Sequence, residues 1–517
     1  MAEGAGPASL VPGFTAARLR LVLGALMLSV FLSSMESTIV STALPTIAGE
    51  FNAFESFAWV GTAYIVASTV STPLLGKLSD LFGRRVVFQS TMAVFFVGSL
   101  LCGLARSMDQ LIAFRAVQGV GGGAIQALAF AVVGDILPPR ERGRYIGFFT
   151  MSFAVAAVAG PLLGGFIIQH WSWEWIFLCN LPLVALAGAI THVALRLPFT
   201  RRQARIDWLG AGLLAGGVGI GLIALERGPA GWTEPLVLGG FVASVVLIVG
   251  FVLQERRASE PMLPLRLFRN RVVLACCALG VVVSSFSYGA SSFLPLYFQD
   301  VLFVSPTESG LRMLPIMAGV VIMSTTSGRL IARTGRYRIY PILGTLVMGL
   351  GVLALTQISG DSSYVSLAVP MFLLGLGSGM VYPVTSIATQ NACELRDMGV
   401  ATASLMFFRS LGGSLGLAVF GTILNSTIRA ELPARTGLSA DEAVSLIRAP
   451  EDIAALPAEV RSSVVDVLAQ GISTIYWVCA GVMVIGIVWA FLLPELPLRG
   501  KAGITDKLSE PAASAAH

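Results

Sequence analysis

Residues 76–85 read GKLSDLFGRR, and a weaker copy, GRLIARTGRY, occupies residues 328–337. Two glycine patterns also recur at nearly the same offset along the chain: GVGGG (119–123) returns as GLGSG (375–379), and GPLLG (160–164) returns as GGSLG (412–416). Three separated matches at nearly one offset are hard to obtain by chance. The chain therefore contains an internal duplication.

The segments between these patterns are long and apolar. Of the 517 residues, 55% are hydrophobic and 12% are charged, whereas about a quarter of the residues of a soluble domain are charged. Uncharged runs such as 86–104, 236–253 and 478–493 approach the ~20 residues that a membrane-spanning helix needs. So few charges could not cover the surface of soluble domains, and the sequence predicts an all-α polytopic membrane protein.

We predict fourteen membrane-spanning helices, arranged as two parallel-repeat six-helix bundles with two extra helices between them. An even number of predicted spans lies within the repeat offset, so the copies share one orientation, as in transporters whose halves are related by an axis along the membrane normal. The predicted parts are a tail (1–20), a first bundle (21–200), a two-helix insertion with linkers (201–271), a second bundle (272–495) with a long loop outside the membrane (425–472), and a tail (496–517).

Basic residues cluster in the loops on one side of the predicted spans, and few lie on the other side. Because loops rich in Lys and Arg remain in the cytoplasm, we expect a multi-pass protein of the cell membrane with both termini cytoplasmic. The same bias accounts for the net charge of +5, so no nucleic-acid partner is indicated. Within 425–472, mixed charge and apolar spacing favour short amphipathic helices.

The residue types exclude several classes of function. The 3 histidines are far apart and the 6 cysteines show no CxxC spacing, so neither a metal site nor another cofactor is predicted. Gly76-Lys77 lacks the earlier glycine and the following Ser or Thr of a P-loop, which argues against an ATP-driven pump. Lysine is absent from every predicted span, unlike the proton relays of respiratory complexes. No nucleophile–base arrangement suggests an enzyme.

Two ionisable residues lie at comparable depths inside predicted spans of the first bundle. Counted at ~1.5 Å per residue, Glu36 lies ~12 Å and Arg115 ~8 Å inward from the outer ends of their helices, so the two could meet. A carboxyl in a dry setting beside an arginine could bind a proton and lose it when a cationic substrate arrives. The alternatives are a purely structural Glu–Arg pair and a carboxyl at the outer lip.

A third ionisable residue, Arg409, lies in a predicted span of the second bundle. It could contact an anionic group or hold neighbouring helices together, and the sequence favours neither reading. The glycines of 119–123 and 375–379 are interpreted as helix-packing surfaces, because no strand precedes them as it would in a dinucleotide-binding loop.

Four motifs together resemble those of the major facilitator superfamily, specifically its fourteen-helix drug:proton antiporter branch (EmrB/QacA-like). They are ESTIVSTALP (36–45), with glutamate in place of the usual aspartate, GKLSDLFGRR (76–85), LIAFRAVQGVG (111–121) and GPLLGG (160–165). The resemblance implies the major facilitator fold and a secondary active transporter rather than an enzyme.

The resemblance also implies roles for individual residues. It assigns proton coupling to Glu36 and Arg115. In a conformational switch, Asp80 would cap a helix of the second bundle and Arg84 would pair with Asp135. The complete set of implied switch residues is Gly76, Asp80, Gly83, Arg84, Arg85 and Asp135, and the antiporter motif consists of Gly160, Pro161, Gly164 and Gly165. The alternatives are that the basic loop only enforces topology and that these small residues only pack.

The predicted function is export of amphipathic, cationic drugs or toxic compounds in exchange for protons, by alternating access. The alternative is export of an endogenous lipid or metabolite. The expected partners are a small-molecule substrate, protons and membrane lipids, and the monomer is expected to be functional. The candidate substrate cavity is lined by uncharged and aromatic residues and one arginine: Tyr64, Gln118, Gln126, Asn180, Tyr288, Tyr297, Tyr382, Met406, Phe407 and Arg409.

Overall fold

The computed structural model describes residues 15–51, 53, 56–197, 206–228, 231–258, 260–360, 362–437, 453 and 456–499. Within these ranges the chain forms helices and no strand. The α-helices are α1 (Ala16–Glu50), α2 (Phe57–Phe82), α3 (Arg84–Gly103), α4 (Met108–Ile136), α5 (Pro139–His170), α6 (Trp175–Leu178), α7 (Asn180–Ala194), α8 (Trp208–Arg227), α9 (Pro235–Glu255), α10 (Arg271–Leu296), α11 (Pro306–Arg312), α12 (Leu314–Thr334), α13 (Ile339–Leu355), α14 (Tyr364–Ala392), α15 (Met398–Thr436) and α16 (Ala458–Leu492). Short 3₁₀ turns occupy Leu265–Arg269 and Leu395–Asp397, and a π-helical turn occupies Tyr297–Val301.

Twelve helical stretches in the described ranges are long and apolar enough to cross a membrane. α13 is also apolar but has only 17 residues. α2 is not among the twelve, and its sequence includes Lys77, Asp80 and several Ser and Thr residues. The chain is therefore an all-helical, multi-pass membrane protein.

The duplication in the sequence reappears in the helix packing. In the first half, α4 packs against α2 and α3, α5 packs against α1, and α7 packs against α1 and α3. In the second half, α14 packs against α12 and α13, α15 packs against α10, and α16 packs against α10 and α13. Each contact of the first set has its counterpart in the second, so the two halves have the same arrangement.

The repeated glycines bring α4 and α14 close to their neighbours. A Cβ added to Gly119 would lie 2.5 Å from Tyr64 O on α2, and one added to Gly375 would lie 2.0 Å from Ile316 O on α12. Only glycine fits such backbone contacts without a shift of the helices. The interpretation of these glycines as packing surfaces is confirmed.

Both copies of the repeated loop lie at one face of the molecule, which we call the motif face. In the first copy, Arg84 pairs with Asp135 in the last turn of α4. In the second copy, Gly328 packs against Gly143 in the first turns of α5, where a Cβ on Gly143 would lie 2.8 Å from Gly328 O. Because α4 ends and α5 begins at the same face, the two copies share one orientation.

The two halves meet along two equivalent contacts, α2 with α15 and α5 with α12. α8 and α9 form a hairpin, and α8 packs against α2 and α15. In the turn of this hairpin, Trp232 Nε1 donates a hydrogen bond to Thr422 Oγ1 on α15 at 2.9 Å. The inserted hairpin therefore covers the contact of α2 with α15.

The segment 425–472, expected as a loop with short amphipathic helices, is helical over much of its described part. α15 continues to Thr436, where Gly437 ends it in the left-handed conformation with φ of 75°, as is common at helix C-termini. α16 begins at Ala458. Both helices therefore extend beyond the predicted spans, and the intervening 438–452 and 454–455 lie outside the described residues.

Candidate functional site

Glu36 lies in the middle of α1, and none of its surface is exposed. Its Oε1 accepts a hydrogen bond from Arg115 Nη1, on α4, at 3.0 Å. Its Oε2 accepts a hydrogen bond from the side-chain amide of Asn180, the first residue of α7. The carboxylate is therefore enclosed by the first bundle and does not face lipid.

The Arg115 guanidinium is held on several sides besides Glu36. Nη1 donates to Gln118 Oε1 at 2.6 Å, and Nε donates to Val60 O on α2 at 3.3 Å. Its Cζ lies 4.3 Å from the centroid of the Tyr64 ring, a cation–π distance. Arg115 therefore has three contacts that do not depend on Glu36.

A second set of hydrogen bonds supports these partners. Gln118 Nε2 donates to Ser99 Oγ on α3 at 2.7 Å, and the Tyr64 hydroxyl donates to Ser33 O on α1 at 3.2 Å. Thus α1, α2, α3, α4 and α7 each contribute to one polar network around a single carboxylate. We call Glu36, Arg115, Gln118, Asn180 and Tyr64 the Glu36 network.

This geometry provides for an ionised Glu36. An ionised carboxylate in the interior needs a paired cation and complete hydrogen bonding, which Arg115 and Asn180 supply. Protonation of Glu36 would leave Arg115 without its counter-ion, so the charge states of the two residues are coupled.

The GPLLGG motif places α5 against α1 next to this carboxylate. A Cβ on Gly160 would lie 2.0 Å from Thr38 Oγ1, and one on Gly164 would lie 2.1 Å from Thr42 Oγ1. Gly165 faces open space. Two of the three glycines are thus required for the close approach of α5 to the helix that carries Glu36.

The second bundle repeats this contact without a charged residue nearby on α10. Cβ atoms on Gly412 and Gly416 would lie 2.3 Å and 2.4 Å from backbone oxygens of α10. Pro161 lies inside α5, and Gly413 occupies the corresponding place in α15. Close packing is therefore common to both halves, and the proline belongs to the first half alone.

Asp80 reaches from the motif face of α2 to the second bundle. Its two carboxylate oxygens accept hydrogen bonds from the backbone N–H groups of Gly399, at 3.1 Å, and Val400, at 2.8 Å, in the first turn of α15. A carboxylate is stabilised at this position because the N–H groups of the first turn lack partners within the helix. The structure thus contains the cap that the resemblance implies.

Arg84 lies between two carboxylates at the start of α3. Its Nε donates to Asp135 Oδ2 at 2.7 Å, and its Nη2 lies 2.6 Å from Asp80 Oδ1. All three side chains are almost completely buried. Arg84 therefore orients the carboxylate that contacts α15 and ties it to the end of α4.

The remaining residues of the implied switch have distinct positions. A Cβ on Gly76 would lie 2.3 Å from the Cβ of Ala403 on α15, so Gly76 is needed where the two halves touch. Gly83 has φ of 92° between α2 and α3, a conformation that favours glycine. Arg85 donates to the backbone oxygen of His192, so its contact remains within the first half.

Two further ion pairs at the motif face were not expected from the sequence. Lys77 Nζ lies 3.0 Å from Glu260 Oε2, and Arg266 Nη2 lies 2.8 Å from Asp397 Oδ2. Glu260 and Arg266 belong to the linker between α9 and α10. No motif or spacing in the sequence identifies Glu260 and Arg266 as functional residues. The one indication was that they are charged and lie in a linker predicted to be at this face.

Arg409 lies on α15 in a second polar cluster. Its Nη2 donates to Tyr382 O at 2.7 Å, Thr385 Oγ1 at 2.6 Å and Ser386 Oγ at 3.2 Å, all on α14. Its Nη1 lies 3.6 Å from Met406 Sδ, and its Cζ lies 4.9 Å from the Tyr382 ring centroid. Arg409 therefore contacts both Tyr382 and Met406.

Tyr288, on α10, links this cluster to the first half. Its side chain lies near Arg409 and near Tyr64 of the Glu36 network, and it is 47% exposed. Gln126, on α4, is half-buried, and its amide donates to Ser34 Oγ at 3.5 Å.

Five of the predicted cavity residues have other positions. Tyr64, Gln118 and Asn180 are buried within the Glu36 network, and Phe407 is buried with its ring 5.3 Å from Phe408. The assignment of Tyr297 to the cavity is corrected: it is fully buried and donates to Ser359 O. The π-helical turn that Tyr297 begins packs its side chain into the core.

These helices, their duplication and their motifs are matched in known proteins. A model of the Major Facilitator Superfamily matches residues 26–417. The chain belongs to the Major Facilitator Superfamily. Its members named below are transporters, and this member of the superfamily is likewise a membrane transporter and not an enzyme.

Several relatives in the superfamily match nearly the whole chain. Multidrug transporter protein MdtP of Bacillus subtilis (strain 168) is 32% identical, with 96% of each chain covered. Multidrug resistance protein 3 of the same strain is 31% identical, over 94% of this chain and 97% of the relative. Efflux pump dotC of Dothistroma septosporum (strain NZE10 / CBS 128990) is 32% identical, over 96% of this chain and 87% of the relative.

Two solved structures of superfamily members share the fold. The human organic anion transporter MFSD10 (TETRAN) gives a TM-score of 0.63 at 16% identity, over 92% of this chain and 99% of the other. The proton:xylose symporter XylE gives 0.64 at 13% identity, over 96% and 100%. At such identities the likeness concerns the fold alone.

Proposed function

We propose that this chain exports amphipathic, cationic compounds in exchange for protons, by alternating access of a cavity between its two halves. The observation that carries the proposal is the Glu36–Arg115 pair, a titratable carboxylate and an arginine buried together inside a transporter bundle. The names of relatives that match nearly the whole chain, a multidrug transporter and a multidrug resistance protein, support export as the direction.

We further propose fourteen membrane spans, as in the antiporter branch that the motifs resemble. The twelve long apolar helices include neither α2 nor α13. The packing supports both as spans, because α2 occupies in the first half the place of the apolar α12, and α13 occupies the place of α3. α8 and α9 are then the pair added between two six-helix bundles.

In the proposed cycle, the ionised Glu36 attracts a cationic substrate and a proton later replaces that substrate. The two cannot be bound together, because protonation removes the negative charge that attracts the cation. Arg115 competes with the substrate for the carboxylate at 3.0 Å, so the cation is released readily once a proton is available. The chemistry gives exchange rather than co-transport.

The motif face is proposed to be cytoplasmic, in a cell membrane, and closed in this structure. Basic loops support the orientation, and the contacts of Asp80 with α15 and of Gly76 with Ala403 support the closure. Opening toward the cytoplasm would separate these residues and leave the first turn of α15 without its carboxylate. The monomer contains both halves of the cavity, so the transporter is proposed to function as a monomer among membrane lipids.

The proton gradient is large enough for this task. One proton that moves through 100 mV releases ~2.3 kcal/mol, and one pH unit adds ~1.4 kcal/mol. For a substrate without net charge the two together would sustain a gradient of roughly several hundredfold for one proton exchanged. For a singly charged cation the charges moved in the two directions cancel, so the pH difference alone acts and the gradient is roughly tenfold per proton. No ATP-binding motif occurs in the sequence, so a gradient is the proposed source of energy.

The test is substrate-induced proton release from purified protein in weakly buffered detergent solution. Addition of tetraphenylphosphonium is expected to release protons from the wild type and none from Glu36→Gln. Glu459→Gln, which changes an exposed glutamate at the start of α16, is the control and should release protons normally. Release that persists in Glu36→Gln would remove Glu36 from the mechanism. Transport of a lipid without any response to cationic compounds would favour the endogenous-substrate alternative.

A further inference from the structure

Arg409, which is partly buried, differs from the buried Arg84 and Arg115 in its lack of an acidic partner. Arg84 lies between Asp80 and Asp135, and Arg115 pairs with Glu36. Among the described residues, no carboxylate lies within ion-pair distance of the Arg409 guanidinium, whose hydrogen-bond acceptors are a backbone oxygen, two hydroxyls and a thioether. A buried charge without a counter-ion is unfavourable.

The guanidinium also has unused hydrogen-bonding capacity. Its Nε is buried and has no hydrogen-bond partner. Its Nη1 contacts only the sulfur of Met406 at 3.6 Å, and a thioether is a weak acceptor. An arginine presents five donors in a planar fork that fits a carboxylate or phosphate. Here Nη2 alone makes all three hydrogen bonds to oxygen atoms.

The surroundings place this cation at the space between the halves. Tyr288, which is 47% exposed, lies near Arg409 of the second half and near Tyr64 of the first half. The Arg409 side chain itself is only partly buried, and its Cγ lies 3.2 Å from where a Cβ on Gly280 would be. A side chain at Gly280 would therefore press on the arginine, and its absence leaves the arginine room.

We propose that Arg409 binds an anionic oxygen group of the transported compound, a carboxylate or a phosphate. Substrates would then be amphiphiles with an acidic group on one end, recognised by the second half, and a cationic or apolar body, recognised by the first half. The proposal rests on the proposed function in that the same cavity carries the substrate. It refines the substrate class from simple cations to zwitterionic and acidic amphiphiles.

A matched pair of dyes tests this class directly. Rhodamine 110 has a free carboxylate, and rhodamine 123 is its methyl ester, so the two differ at the acidic group alone. Binding is measured by fluorescence anisotropy on the purified full-length chain. Arg409→Gln is expected to weaken rhodamine 110 binding about tenfold, which is ~1.4 kcal/mol, and to change rhodamine 123 binding less than twofold. Arg409→Lys should retain part of the preference.

The ester reports whether the variant is folded, because its binding requires an intact cavity but no anion site. Equal loss of both dyes in Arg409→Gln would mean that Arg409 only holds α14 and α15 together, and the proposal would be wrong. Unchanged binding of both dyes, or a wild type that does not bind rhodamine 110, would also overturn it. The dye measurement does not depend on proton exchange. It can therefore support an anion site at Arg409 even if the proton-release assay removes Glu36 from the mechanism.

Discussion

Arg115 and Glu36 meet 3.0 Å apart in the interior of the first bundle, where their side chains are 2% and 0% exposed. A buried ion pair adds little net stability when intact, yet the loss of one partner leaves the other as an uncompensated buried charge. The pair can therefore be examined by thermodynamics as well as by transport.

Arg115→Met is expected to destabilise the protein by about 3–5 kcal/mol, the usual cost of breaking a buried pair from one side. The physical reason is that Glu36 keeps Asn180 as its hydrogen-bond donor but loses its cation. Thermal or denaturant unfolding of the purified protein measures the change.

The double variant Glu36→Gln/Arg115→Met separates charge from packing. If the loss is electrostatic, the double variant is expected to be more stable than Arg115→Met alone, because no unpaired charge remains. A double variant that loses the sum of the two single effects would contradict a direct interaction between these side chains.

The glycines of the α1–α5 contact give a second prediction with a control in the same motif. Gly160→Ala would place a Cβ 2.0 Å from Thr38 Oγ1, whereas Gly165→Ala meets no atom within 4 Å. We expect Gly160→Ala to destabilise by about 1–3 kcal/mol and to reduce transport, since α5 must move away from the helix that carries Glu36.

Gly165→Ala should be neutral or slightly stabilising, because alanine favours helix more than glycine does. Both variants are compared by unfolding and by efflux of the same compound. Equal effects of the two substitutions would show that helix propensity, and not close packing, determines the role of the motif.

The duplicated motifs were sufficient to predict an all-helical fold with two similar halves. Alternating glycines at 119–123 and 375–379 predict close helix contacts, and the structure has them in both halves. Comparable depths of Glu36 and Arg115 along their helices predict that the two could meet, because helix rise per residue is constant. These properties depend on local periodicity and on spacing, which a single sequence contains.

Other features depend on the packing of distant segments and could not be read in this way. Asn180 donates to Glu36 only because α7 begins beside α1, and the Lys77–Glu260 pair exists only because the linker after α9 returns to α2. Tyr297 is an aromatic residue in an apolar run like Tyr288, and the π-helical turn that separates their environments has no signal in the sequence.

The contact of Asp80 with α15 gives the last prediction. Asp80→Asn removes a charge from the first turn of that helix, where two N–H groups donate to it, and weakens the interaction with Arg84. A charged contact at a helix N-terminus contributes about 1–2 kcal/mol, so the population open at the motif face should rise about five- to thirtyfold. Ala403→Cys reports this opening, because Ala403 is fully buried against Gly76.

In a background without the six native cysteines, the rate at which a maleimide modifies Cys at 403 should rise several-fold in Asp80→Asn. Asp109→Asn is the control, since Asp109 is also in a first helical turn but is exposed and far from the other half; its rate should stay that of the parent. A rate in Asp80→Asn equal to that in Asp109→Asn would mean that the backbone contacts of Gly76 hold the motif face closed without the carboxylate. In the second copy of the loop, Ala332 occupies the place of Asp80. The carboxylate cap therefore belongs to the first repeat, and the second repeat cannot compensate for its removal.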